Sequence, residues 1–522
     1  THPSSGRATA GFARRVTPSC QTLGIAQDFV ALTKRKMVAI ITKNFAAVNW
    51  GPDEAKGDDL LLQYFVPFPD FAAVRRGDLR YVVGRKGAGK TAVIERVRLE
   101  LQSDPLFFHA ALSLRNFPLQ DFRDLRDRSF RDKAQFVAAW QFLIYIELAR
   151  LICADEGAHP RQIVEELRQF MTENDLADSV GFTSSVSVLR KVEQKLKVSL
   201  RWVEGENSSG EQIQTQTTLH FKKVFDLLAR RVHSVRSSSQ YWIFMDELDE
   251  GYRAGDEGLR LILLALLRAV EDSAISLRRS EIAFRPLLVL RSDIFDRLED
   301  NDLNKLDDYV LRLQWNSRPD LNHHALRKVI AARISVSIPA HTGDGWPHIT
   351  DDKNANQLPK GVESLWSYVI NRTYERPRDI IKFLKYCQKH TPAGVLTFMA
   401  TKEAETEYSH WLYKEIRDEL HSYLPVWREA MQCITRAGSG RVSYATFRGL
   451  LESEPTISKW LSDSSGTTDR IIEILFDFGI FGNLDTNGRW LFKYKDHDLA
   501  WNPQMDLIVH WGLHKKLRLL RY

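Results

Sequence analysis

The run Gly84-Arg85-Lys86-Gly87-Ala88-Gly89-Lys90-Thr91 constrains this chain more than any other stretch. It matches GxxxxGK[ST] at every fixed position, with an apolar strand predicted before it at 79–83 and a helix after it at 91–101. Strand, glycine loop and helix in that order is the context a phosphate-binding loop requires. Glycines let the backbone wrap a polyphosphate with its amide N–H groups inward, and the helix N-terminus adds its positive end. Lys90 is expected to reach the β- and γ-phosphates and the Thr91 hydroxyl to ligate magnesium, with Ala92 the first residue beyond the loop. A glycine-rich surface turn accounts for a lone GxG, but not for the whole matching run in this setting. The expected ligands are ATP, or its product ADP, and Mg2+.

A chain of 522 residues exceeds one core and suits roughly two to four domains. Its hydrophobic share of 43% and charged share of 27% are ordinary for a globular protein. A net charge of +6 over 73 basic and 67 acidic side chains permits contact with nucleic acid without arguing for it. Cys20, Cys153, Cys387 and Cys433 lie far apart with no CxxC pair, which reads as reduced thiols in a cytoplasmic protein. The longest apolar run, 261–267 between Arg260 and Arg268, is far short of the roughly 20 residues that cross a bilayer, so no membrane is expected. Residues 1–36 are rich in Ser, Thr and Arg with one acid, Asp28; a disordered extension, or a start misplaced ahead of Met37, is preferred over a transit peptide.

Short apolar strands are predicted near 106–112, 241–245, 286–290 and 310–313, alternating with helices such as 259–269. That alternation predicts a parallel sheet covered on both faces. An insertion at about 118–235 interrupts it, with helices at 134–152, 163–171 and 219–233 and a polar arm over 182–219 that reads as a β-hairpin or as partly disordered. Beyond about 319 the pattern turns helical, at 321–334, 362–373, 377–389 and about 400–423. Three helices (427–436, 444–451, 468–478) and a hairpin at Asp485-Thr486-Asn487-Gly488 then describe a winged helix.

The second chemical element is Asp246-Glu247, at the end of an apolar strand and 155 positions beyond Thr91. Asp246 can hold magnesium and Glu247 can orient and deprotonate a water. Asp249 and Glu250 read as loop acids, Asp249 being a further magnesium candidate. Arg291-Ser292-Asp293 follows the strand at 286–290, where ligands sit in doubly wound sheets, so Arg291 is a candidate γ-phosphate contact, with Ser292 its competitor and a plain carboxylate pairing the alternative. Glu375-Arg376-Pro377-Arg378-Asp379 opens a helix, and Arg376 and Arg378 suit a phosphate contact across a domain interface. His323-His324 lacks a third metal ligand, the basic tail 514–518 reads as a solvated helix face, and Arg297 is the one candidate for an arginine finger on a neighbouring subunit.

This order of parts resembles AAA+ ATPases of the origin-recognition initiator clade and the related STAND signalling NTPases. More narrowly, the chain looks like a group of bacterial stand-alone P-loop ATPases. The narrower likeness rests on 49–66, GRKGAGKTA, MDELDEGY, LRSDIF, ERPRDIIKFL and the C-terminal wing, and covers about 45–515. The resemblance implies an α/β P-loop NTPase fold (AAA+/STAND-like) with a helical insertion, a helical lid and a C-terminal winged helix. It makes Lys90 and Thr91 the phosphate and magnesium ligands, Asp246 and Glu247 the hydrolytic pair, Arg291 the sensor, and Arg376 or Arg378 the lid contact. Two departures, the size of the insertion and an arginine at 291 where a polar uncharged residue is usual, lean away from a ring motor and toward a switch. Relatives of this kind often occur in bacterial defence loci.

The expected division is an extension over 1–44, an ATPase domain over 45–318, a lid over 319–412 and a winged-helix domain over 413–522. The leading expectation is a slow ATPase switch that acts on a protein partner or a homo-oligomer. One alternative is an initiator-like DNA-binding ATPase, which the helix at 468–478 counts against, with one arginine against three acids over 469–477. The other is a nucleotide-bound scaffold for a separate effector enzyme.

Overall fold

The computed structural model describes residues 43–113, 115, 118–124, 131–177, 186, 195–199, 216–248, 252, 255–298, 300–301, 303–315, 325–354, 358–359, 361–464 and 466–520. Its centre is a five-stranded sheet of β1 (Tyr81–Gly84), β2 (Phe107–Ser113), β5 (Gln240–Asp246), β6 (Ala283–Arg291) and β7 (Val310–Arg312). The strands run in the order β2-β5-β6-β1-β7, and every pairing is parallel. Because side chains alternate across a strand, the continuous apolar runs sort into two cores. Tyr81, Val83, Tyr241, Ile243, Met245, Leu288 and Leu290 face one side. Val82, Trp242, Phe244, Leu287 and Val289 face the other, against Val93 and Val97 of α1 (Lys90–Leu101).

The insertion builds the first of these cores. Its helices α2 (Ala134–Ala154), α3 (Arg161–Glu173) and α4 (Phe221–His233) pack with α5 (Glu257–Arg279) against the sheet. Trp140 is fully buried there and its indole N–H donates to the Ile262 carbonyl at 3.0 Å. Among the described residues α2 is the one helix long and apolar enough to cross a membrane, yet 67% of that window is buried against the rest of the chain. In the polar arm, β3 (Lys195–Ser199) and β4 (Gln216–His220) pair antiparallel. Apart from Val186 the remainder of the arm, together with residues 1–42 including Cys20, His323-His324, Asp249 and Glu250, lies outside the described residues.

The rest of the chain is helical, then mixed. It contains α6 (Ala325–Ser337), α7 (Leu365–Ile370), α8 (Pro377–Lys389), α9 (Phe398–Leu420), α10 (Trp427–Ala437), α11 (Tyr444–Glu452), α12 (Pro455–Ser464) and α13 (Thr468–Asp477). Strands β8 (Arg441–Val442), β9 (Phe481–Leu484), β10 (Trp490–Leu491) and β11 (Asp506–Val509) form a sheet in the order β10-β9-β11-β8. The helix α12 and the strands β8 and β11 were not anticipated. The helix α9 runs unbroken through 412–413, and one apolar core joins Leu326, Ile380, Leu412, Ile434, Ile471 and Leu513 on both sides of that point.

Candidate functional site

The backbone between β1 and α1 turns through two left-handed glycines, Gly87 at φ 79° and Gly89 at φ 100°. Gly89 is also the N-cap of α1 and makes no side-chain cap, so the positive end of the helix opens onto the loop. Lys90 Nζ donates to the carbonyls of Gly84 at 3.0 Å and Arg85 at 3.1 Å, folded over its own loop. The Thr91 hydroxyl donates to Asp246 Oδ2 at 2.8 Å, which joins the loop to the end of β5.

Asp246 is held by its neighbours as an acceptor. Burial raises its carboxyl above the ordinary value of 3.8, against the pull of the Glu247 amide, the Thr91 hydroxyl and Lys90. Glu247 adopts a left-handed φ of 57°, a conformation that costs a non-glycine residue about 1–3 kcal/mol and that turns its side chain off the strand. Its amide donates to Asp246 Oδ1 at 2.7 Å, and its carboxylate accepts from the Ser113 hydroxyl. Arg115 Nη1 lies 3.9 Å from the same carboxylate. Ser113 is opposite Asp246 in the parallel register of β2 and β5, so sheet pairing alone delivers it.

A cavity of about 410 Å³ is lined by Lys90, Thr91, Asp246, Glu247, Arg291 and Arg378 together, and also by the segment 52–56. Arg291 is paired with Asp293 at 2.7 Å, and the Tyr423 hydroxyl donates to the same Asp293 carboxylate at 2.8 Å. Burial pushes Asp293 up, but the Arg291 guanidinium, the Tyr423 hydroxyl and Arg85 together outweigh it and hold the carboxyl below its ordinary value. Ser292 faces a different, larger cavity of about 820 Å³ that touches Gly84 and Ala88 but not Lys90, Thr91 or Asp246.

The two arginines at the start of α8 part company. Arg378 lines the smaller cavity and its amide donates to the Gly87 carbonyl at 3.3 Å. Arg376, expected as an alternative phosphate contact, is instead buried in ion pairs with Asp379 at 2.9 Å and Glu419 at 3.1 Å. Arg376 is the extended N-cap of the helix and Arg378 lies beyond Pro377 in its first turn, so the two basic side chains leave the chain in different directions. Arg85 likewise turns away from the loop, donating to the Phe478 carbonyl at 3.3 Å. Arg297, the finger candidate, is engaged within its own chain, 3.0 Å from Asp477 and over the Tyr423 ring. Ser113 was missed because a serine at a strand end carries no motif.

Residues 324–417 match the FunZ-associated C-terminal helical domain family, a match that ends inside α9. Comparison with curated proteins yields no match. Among solved structures, the chain is similar to the Aeropyrum pernix Orc1 protein in complex with DNA, at 12% identity over 88% of this chain and 95% of that one, with a TM-score of 0.35. It is also similar to Cdc6p from Pyrobaculum aerophilum, at 10% identity over 90% and 95%, with a TM-score of 0.28. Likenesses this distant carry no weight for function.

Proposed function

We propose that this chain is an ATP-hydrolysing switch of the AAA+/STAND kind, with its nucleotide in the cavity between phosphate loop, β5 and lid. The observation that carries the reading is the convergence of Lys90, Thr91, Asp246, Glu247, Arg291 and Arg378 on that one cavity. A polyphosphate would take Lys90 from the loop carbonyls it now caps, and the loop amides and helix end would complete its cradle. The donor set suits magnesium: a hydroxyl and a buried carboxylate 2.8 Å apart are hard oxygen ligands, and a cation would relieve the burial that raises Asp246. Bound there, magnesium would neutralise charge building on the phosphoryl oxygens.

Glu247 then positions and deprotonates water. The water oxygen bonds to the γ-phosphorus, the bond from that phosphorus to the β–γ bridging oxygen breaks, and ADP and phosphate leave. Ser113 holds the glutamate in place. Arg291 would be shared between the γ-phosphate and Asp293, tying occupancy to Tyr423 beyond α9. The output goes to a protein partner or further copies of the chain, not to DNA. In support, α13 pairs its single arginine, Arg470, with Glu473 at 2.6 Å and buries Ile471, Ile472, Leu475 and Phe476. The test is a pair of variants: Glu247→Gln retains ATP binding and loses turnover, whereas Lys90→Ala loses both. Hydrolysis at the parental rate by Glu247→Gln sinks the assignment.

A further inference from the structure

The sheet domain keeps its own two apolar cores, and the lid and C-terminal elements share a third. Across the seam between them, Trp315 and Tyr252 pack against cores on both sides, and charged contacts lie beside them near the phosphate loop. Lys86 Nζ lies 3.2 Å from Glu415, and Arg85 lies 3.9 Å from Glu419 while donating to Phe478. The Arg378 guanidinium shares Glu415 at 3.6 Å. Glu415 and Glu419 are one turn apart on α9 and present a single face. Positions 85 and 86 are ones the phosphate-loop pattern leaves open, so their two cations are not required by the loop's own fold.

We propose that the phosphate loop is itself the latch holding the lid and C-terminal half onto the sheet, and that a triphosphate competes with the α9 acids for Lys86 and Arg85. The proposal rests on the nucleotide reading above. Lys86 lines the nucleotide cavity, so phosphate entering it draws that ammonium off Glu415 and sets like charges against Glu415 and Glu419. Both effects act within one Debye length of about 8 Å. Linkage makes the effect reciprocal: a chain without the latch binds nucleotide more tightly by the same factor by which nucleotide opens the latch. For the partly exposed Lys86–Glu415 pair, with side chains 30% and 20% exposed, that factor is about two- to five-fold.

The experiment uses the full chain and Glu415→Gln. Amide hydrogen exchange is followed over 84–90, 410–420 and 474–484 without nucleotide, and a fluorescent ATP analogue is titrated into each protein. The variant is expected to exchange faster in all three segments and to bind the analogue about two- to five-fold more tightly. Parental exchange over 410–420 and 474–484 is expected to rise with the analogue bound, while 84–90 is covered by the phosphates; without the analogue, exchange in all three segments is expected to rise with salt. Parental exchange indifferent to salt, or a variant that exchanges like its parent and binds no more tightly, overturns the latch. The salt series decides the matter even where the variant folds poorly. If the parental chain binds no analogue, the nucleotide reading and the competition fall together, while exchange in the nucleotide-free proteins still judges the latch.

Discussion

Arg376→Ala removes a cation whose side chain is 5% exposed, from between carboxylates on Asp379 and Glu419 that are 0% and 4% exposed. Breaking a buried pair from one side costs about 3–5 kcal/mol, because the partner charge stays buried without compensation. Two partners are stranded here, but each keeps a residual contact. The Tyr374 amide donates to Asp379 at 3.1 Å, and Arg85 lies 3.9 Å from Glu419, so the single-pair range is retained. Against a typical stability of about 5–15 kcal/mol, the variant sits near its unfolding threshold. Urea unfolding followed by tryptophan fluorescence and far-ultraviolet circular dichroism measures the loss.

The pH dependence sharpens the test. Burial raises Asp379 above 3.8 in the folded chain while Arg376 pulls it down. The group therefore favours the folded state below its unfolded pKa and loses that contribution as pH rises through its folded value. Removing Arg376 lifts the folded value further. The deficit is thus largest near neutrality and narrows as pH falls from about 7 toward about 5. An unchanged unfolding midpoint, together with a ten-fold or greater loss of nucleotide affinity, would refute the reasoning and return Arg376 to the phosphate.

Ser113→Ala frees the Glu247 carboxylate and is expected to slow turnover about 3- to 30-fold while analogue affinity stays within about two-fold, measured by phosphate release and titration. Asp246 ionises only above its raised pKa, so magnesium-dependent nucleotide binding should weaken as pH falls from about 7 to about 4.5, more steeply than in Asp246→Asn under the same calorimetric titration. Gly87→Ala places a Cβ 3.0 Å from the Arg378 Cβ at a φ that costs an L-residue about 1–2 kcal/mol, and about ten-fold weaker analogue binding is the expected result.

The loop, the strand–helix alternation and the carboxylates at the end of β5 were legible because each is a local pattern: glycines at fixed spacing, apolar runs of strand length, acids beside a strand end. What escaped depends on pairing between distant segments. Ser113 reaches Glu247 only through the register of β2 against β5, which no window of sequence contains. Arg376 and Arg378 are alike as residues, and only the direction of the chain at Pro377 distinguishes a buried cation from one facing the cavity. The insertion read as an addition to the sheet, yet Trp140 and its neighbours are part of the sheet's core, a fact visible only once α2 meets α5. The helix α12 begins at a proline and is rich in serine, a composition that reads as a connection between helices.

The unbroken course of α9 makes it a ruler as well as a connection. At 1.5 Å per residue its 23 residues span about 35 Å, and each residue advances the helix by about 100°. Adding or deleting one residue between 398 and 415 would swing Glu415 and Glu419 away from Lys86 and Arg85 without altering a single side chain at the loop. Substitutions along the exposed face of α9 leave that alignment intact, whereas a change in its length does not. The count of residues in this helix therefore sets which acids meet the loop as firmly as the glycines set the loop's own turn.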